Sequence, residues 1–121
     1  MPNPTPTADD ALRKEAVDLS TDVTSLLVNR KDLLRPEDAY LMAMECVRMA
    51  DRILRARQAA LPHAAREFFL EARTAAQRTL VALEREGARH PHLEREMAPL
   101  YRRLHLLALT LGELGSKEDP S

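Results

Sequence analysis

Four histidines, one cysteine and a set of arginines are the residues of this 121-residue chain whose chemistry could reach beyond packing. His63 opens one helical stretch, while His90 and His92 flank Pro91 at the start of another. A helix joining those points is ~35 Å long at ~1.5 Å per residue, so His63 and the His90–His92 pair cannot share a metal ion within one chain. No Glu-x-x-His pair of the kind that builds a di-iron centre in a bundle is present. The histidines, His105 with them, are therefore expected at exposed caps and surfaces. His90 and His92 could form at most a weak surface site in an assembly, and neither a metal nor a cofactor is expected. Cys46 falls among Met42, Met49 and Ala50 with no His or Asp placed to serve it. Those surroundings predict a buried, inert thiol rather than a nucleophile.

Arg48, Arg52 and Arg55 share one helix face, with Arg57 nearby, and could form a nucleic-acid patch. Glu45 and Asp51 are interleaved with them, and the aromatic partners for stacking on bases are few: Tyr40, Tyr101, Phe68 and Phe69. A salt-bridged, solvated face is the expectation, and weak RNA binding through these arginines the alternative. There is no Gly-rich phosphate loop, no Cys-x-x-Cys and no serine nucleophile elbow. Arg85 precedes His90, and Arg57 precedes His63, with four or five residues between them. In an all-helical chain this Arg–His spacing resembles the HEPN ribonucleases, and the resemblance implies a ribonuclease working through Arg85 and His90. Both pairs straddle a helix boundary and a proline, and the residue after the arginine is Gln58 or Glu86, neither typical of that family.

Composition sets the elements that must carry these groups. Leu occurs 20 times and Ala 18 times, aromatics make up 3%, and there are only 3 Gly and 1 Cys. Too few β-branched and aromatic residues are present for a sandwich or barrel, too many leucines for a disordered chain, and too few cysteines for a disulfide scaffold. An all-α fold is what fits. The 18 basic and 19 acidic residues leave a net charge of −1, which exerts no general pull on nucleic acid or anionic lipid. Among the bases 15 are Arg, a bias typical of GC-rich bacterial codon usage. The N-terminus has no basic and apolar leader, and the longest apolar run, Leu106 to Leu111, falls far short of the ~20 residues of a membrane span. With a lone cysteine, these features predict a cytoplasmic protein.

The periodicity predicts four helices over 8–29, 36–60, 62–86 and 91–114, between tails at 1–7 and 115–121. Thr7 and Asp10 resemble a capping box, Pro36, Pro62 and Pro91 start the later helices, and Gly87 reads as a C-cap. The first stripe is Leu12, Ala16, Leu19, Val23 and Leu26, with alternating spacings of 4 and 3. The second is Ala39, Ala43, Val47, Ala50 and Leu54. The third is Ala65, Phe69, Ala72, Ala76, Leu80 and Leu83, with Phe68 beside it. The fourth runs from Leu93 through Met97, Leu100, Leu104, Leu107 and Leu111 to Leu114. Short links between long helices give an antiparallel up-down-up-down four-helix bundle in a single domain. Pro99 lies inside the fourth helix and predicts a kink or break there. The first helix has a net charge of −3 and carries Ser20, Thr21, Thr24 and Ser25, which make it the one to loosen first.

The apolar surplus lies off these stripes. Tyr40, Leu41 and Met42 in helix 2, and Leu106 and Leu109 in helix 4, form a candidate second face for a protein partner or a second copy of the chain. The methionines Met42, Met44 and Met49 would suit an adaptable groove. Leu41–Met42, Glu71–Ala72 and Leu100-Tyr101-Arg102-Arg103-Leu104 resemble the bacterial flagellin export chaperones. That resemblance implies a small helical bundle that covers an apolar client segment. Here a full helix precedes the matched stretch, and the family's last helix is lacking. Taken together, the sequence predicts a non-catalytic interaction module of the adaptor, secretion-chaperone or small-regulator kind.

Overall fold

A computed structural model describes residues 8–116, with side chains from residue 11 onward. It consists of helices α1 (Ala8–Asn29), α2 (Pro36–Gln58), α3 (Pro62–Arg89) and α4 (Glu94–Ser116), with a 3-10 turn at Pro91–Leu93 leading into α4. Each helix packs on its chain neighbour and α4 closes back on α1, which makes a four-helix bundle with α2 and α4 on one diagonal. The Thr7–Asp10 cap and both tails lie outside the described side chains, except that 115 and 116 continue α4.

Proline sets three of the four starts. Arg35 is extended before Pro36, and Glu37 and Asp38 follow in the first turn, where acids favour the positive helix end. Leu61 is extended because a residue before proline is pushed out of the α region, so α3 begins at Pro62. Pro91 opens the 3-10 turn rather than the α-helix, so α4 starts three residues later than its periodicity suggests. The α-helix then continues through Pro99 without a break. Pro99 and Arg95 are both exposed, so water can satisfy the Arg95 carbonyl that loses its donor.

Gly87 does not cap α3. The helix runs on to Arg89, His90 is the cap, and no glycine has a positive φ. Gly87 serves a close approach instead: a Cβ there would collide with the hydroxyl of Tyr101 on α4. That hydroxyl donates to the Leu83 carbonyl over 3.0 Å. Gly115, on α4, faces Leu70 of α3 in the same way.

The core follows the expected stripes in α1 and α4, from Leu12 to Leu26 and Leu93 to Leu111. In α3 Phe69, Ala72, Ala76 and Leu83 are buried as expected, Ala65 and Leu80 are only partly buried, and Ala75, Thr79, Ala82 and Glu86 join the core. In α2 the core does not follow the expected stripe. The buried residues are Asp38, Met42, Glu45, Cys46, Met49, Ile53 and Ala56, while Val47, placed in the stripe by its spacing, stands 65% exposed. The true face is turned by one residue, ~100°, from the alanine-rich one. Ala39, Ala43 and Ala50 flank it as partly buried neighbours. This face brings the larger side chains Met42, Met49 and Ile53 into the core in place of alanines, and the acids it carries are paired. Two acids sit in the buried register, Asp38 bonded to Arg85 at 2.7 Å and Glu45 within 3.5 and 3.6 Å of Arg48 and Arg78. Paired acids are tolerated where unpaired ones would not be.

Candidate functional site

On α2, helical geometry puts residues 40, 44 and 47 opposite the buried face, at successive spacings of 4 and 3. Tyr40, Met44 and Val47 occupy those positions and are all exposed. Of the five expected contact residues, Tyr40, Leu106 and Leu109 are exposed, at 69, 62 and 53%. Leu41 is half-buried. Met42 is wholly buried in the core and is not a contact residue, because the rotation of α2 carries it inward. The five do not form one surface. Leu106 and Leu109 lie on α4, diagonal to α2, and make a separate patch. Met44 and Val47 complete the α2 stripe. Their spacing from Tyr40 was the available signal, hidden by the assignment of Val47 to the core.

Beside this stripe runs the seam between α2 and α3. Two adjoining hollows of about 210 and 370 Å³ lie along it and share Thr74 and Arg78. Leu41, Gln77, Val81 and Arg85 line the second. Arg52 bridges Asp51 at 2.5 Å and Glu71 at 2.8 Å, and Arg55 bonds Asp51 at 2.9 Å. Arg55 first, with Arg52, holds the Asp51 carboxyl below the usual carboxylate range. The arginines expected as a salt-bridged face are thus engaged with acids, and Arg48 leans over Glu45. One carboxylate oxygen of the buried Glu45 has no hydrogen-bond partner among the described residues.

The residues with catalytic potential are placed as follows. Arg85 points to Asp38 of α2, whereas His90 caps α3 with its Nε2 buried and its ring edge-on to His92 at 5.8 Å. Five residues apart on a helix are ~140° apart around its axis, so this pair is splayed rather than convergent. His63 and His105 are exposed on α3 and α4. Among the described residues no three His, Cys, Asp or Glu side chains gather as metal ligands. Cys46 is buried, and burial pushes its thiol up to about 11, against the smaller opposing effects of hydrogen bonds with Thr79 and Ser20. At neutral pH it is a thiol rather than a nucleophilic thiolate. No described helix is long and apolar enough to cross a membrane.

No family model matches the chain, and neither a curated protein nor a solved structure matches it. The resemblances to HEPN ribonucleases and to flagellin export chaperones gain no support from these comparisons.

Proposed function

We propose that the protein is a non-catalytic helical-bundle interaction module that engages another protein chain through the outer face of α2. One observation carries this: Tyr40, Met44 and Val47 form an apolar stripe on a helix whose opposite face already fills the core. Three large side chains at seam spacing on the water side offer area to a partner helix and nothing to the bundle itself. An adaptor, a secretion-type or flagellar-type chaperone and a small regulator would all work this way, in the cytoplasm, where a single reduced cysteine is at home. The splayed Arg85–His90 pair and the paired arginines of α2 lend no comparable support to RNA cleavage or RNA binding.

The test is site-specific photocrosslinking in living cells, with a benzophenone amino acid at Met44 and, as control, at the exposed Val17 of α1. Position 44 is expected to link to another polypeptide, a partner or a second copy, and position 17 is not. Equal yields from the two positions would remove the basis of the proposal.

A further inference from the structure

Resting on that reading of the α2 surface, we infer that the partner segment is an acidic amphipathic helix seated along the seam between α2 and α3. The seam has its charges sorted by depth. Asp38 and Glu45 are buried at its floor, with side chains only 10 and 6% exposed. Their arginines stand over them on the rim: Arg85 and Arg78 are each 54% exposed and Arg48 45%. Each guanidinium carries five N–H donors in a planar fork, so pairing with a floor acid leaves donors directed at whatever lies above. The acids that reach the rim lie toward its ends: Glu71, bridged to Arg52 at 2.8 Å, and the exposed Glu37 beside Arg85. Between those two acids a partner meets the guanidinium groups of Arg48 and Arg78 with Glu45 beneath them, and there carboxylates are the matching chemistry.

The apolar part of the seam lies in the same place. Leu41 and Val81 line the larger hollow, and the exposed Met44 is one turn along from Leu41 on the α2 bank. Methionine adapts to different apolar shapes, as a groove for a helix requires. From Glu71 to Arg85 the seam spans ~21 Å, about four helical turns. A helix with leucines on one face would lay them over Leu41, Met44 and Val81. Its glutamates would reach Arg48, Arg78 and Arg85. A basic or a purely apolar segment would use only part of this surface.

The experiment is fluorescence anisotropy of the whole chain with three labelled peptides of about four helical turns. One has leucine on one face and glutamate on both flanks. The second has lysine for glutamate, and the third serine for leucine. The glutamate peptide is expected to bind about 10-fold or more tightly than either of the others, and to weaken as salt is raised. Arg78→Gln should weaken it about 3- to 10-fold, while Val17→Ser leaves it unchanged. Arg85→Gln serves the same purpose if circular dichroism shows that Arg78→Gln is unfolded, since each arginine covers a different buried acid. Equal or tighter binding of the lysine peptide, or no binding by the glutamate peptide, overturns the inference. If position 44 still crosslinks in cells, the α2 surface stands and only the acidic partner falls. If both experiments fail, the surface falls with it.

Discussion

At the residue scale, the bundle depends on a few exact fits. Gly87 is the clearest, because its cost depends on one atom of another helix. Alanine in a helix interior is favoured over glycine by about 1 kcal/mol. Here its Cβ would meet the Tyr101 hydroxyl and drive it from the Leu83 carbonyl. Gly87→Ala is therefore expected to destabilise the protein by about 1 kcal/mol in urea unfolding. In a Tyr101→Phe background the colliding oxygen is gone, and what remains is the ring carbon at 3.4 Å and the sulfur of the flexible Met97 at 3.3 Å, which a shift of a few tenths of an ångström relieves. The same substitution should then become neutral or stabilising by up to about 1 kcal/mol. A cost that is equal in both backgrounds would show that the hydroxyl is not what Gly87 accommodates. Cys46 gives a second prediction. Its folded thiol is pushed from 9.0 to about 11, so between those values the unfolded chain has released a proton that the folded chain keeps. Its contribution to stability is complete below pH 9 and is lost as pH rises through about 11. Correspondingly, Ellman's reagent at pH 8 should react with the native protein only through opening of the structure, and rapidly in urea. Native labelling as fast as that of a free thiol would contradict the burial of Cys46.

At the element scale, α1 is the least embedded helix. Its interface with α4 is the slimmest between any two helices of the bundle. Beside the buried stripe from Leu12 to Leu26, that side carries partly exposed ion pairs: Arg103 of α4 reaches Glu15 at 2.8 Å and Asp22 at 2.6 Å, and Arg30 at the end of α1 pairs with Glu96. Arg103→Gln is expected to speed hydrogen exchange of the amides from Leu12 to Leu26 ahead of those in α3, at a cost of about 1 kcal/mol to overall stability. Uniform acceleration in all four helices would place α1 in the same cooperative unit as the rest. The serines and threonines of α1 point to the same helix in the sequence, as the prolines announce three helix starts. The face of α2 is less legible. A pattern search looks for apolar residues at seam spacing and finds Ala39, Ala43, Val47 and Ala50. The buried register contains Asp38 and Glu45, which look like surface residues until Arg85, Arg78 and Arg48 are brought over them from other turns and another helix. The pairings with Arg85 and Arg78 are tertiary, so no window of α2 contains them; only the Glu45–Arg48 pair, three residues apart, lies within the helix itself. Gly87 misleads for the same reason: its partner Tyr101 is on another helix. The apolar contact residues divide along this line, with Tyr40, Leu106 and Leu109 visible as off-stripe residues and Met42 misplaced by the rotation.

At the scale of the whole molecule, two exposed apolar patches lie on diagonal helices, one on α2 and one on α4. A single partner helix covers one groove and cannot reach both. Leu106 and Leu109 are two leucines with no third at seam spacing beyond them, since Glu113 follows one turn on. Soluble proteins carry scattered exposed leucines at no functional cost. The α2 stripe is longer and adjoins the arginine-rimmed seam, so the two patches should respond differently to polar substitution. Tyr40→Ser with Val47→Thr is expected to lower crosslinking from position 44 about 10-fold, whereas Leu106→Gln with Leu109→Gln should leave it unchanged. Both double variants alter exposed side chains, so each substitution should shift the unfolding free energy by no more than about 0.5 kcal/mol. Crosslinking and urea unfolding measured on the same proteins separate a lost surface from a lost fold. If the α2 variant leaves crosslinking from position 44 unchanged, the Tyr40–Val47 stripe is not what holds the partner, and the proposed docking surface loses its support.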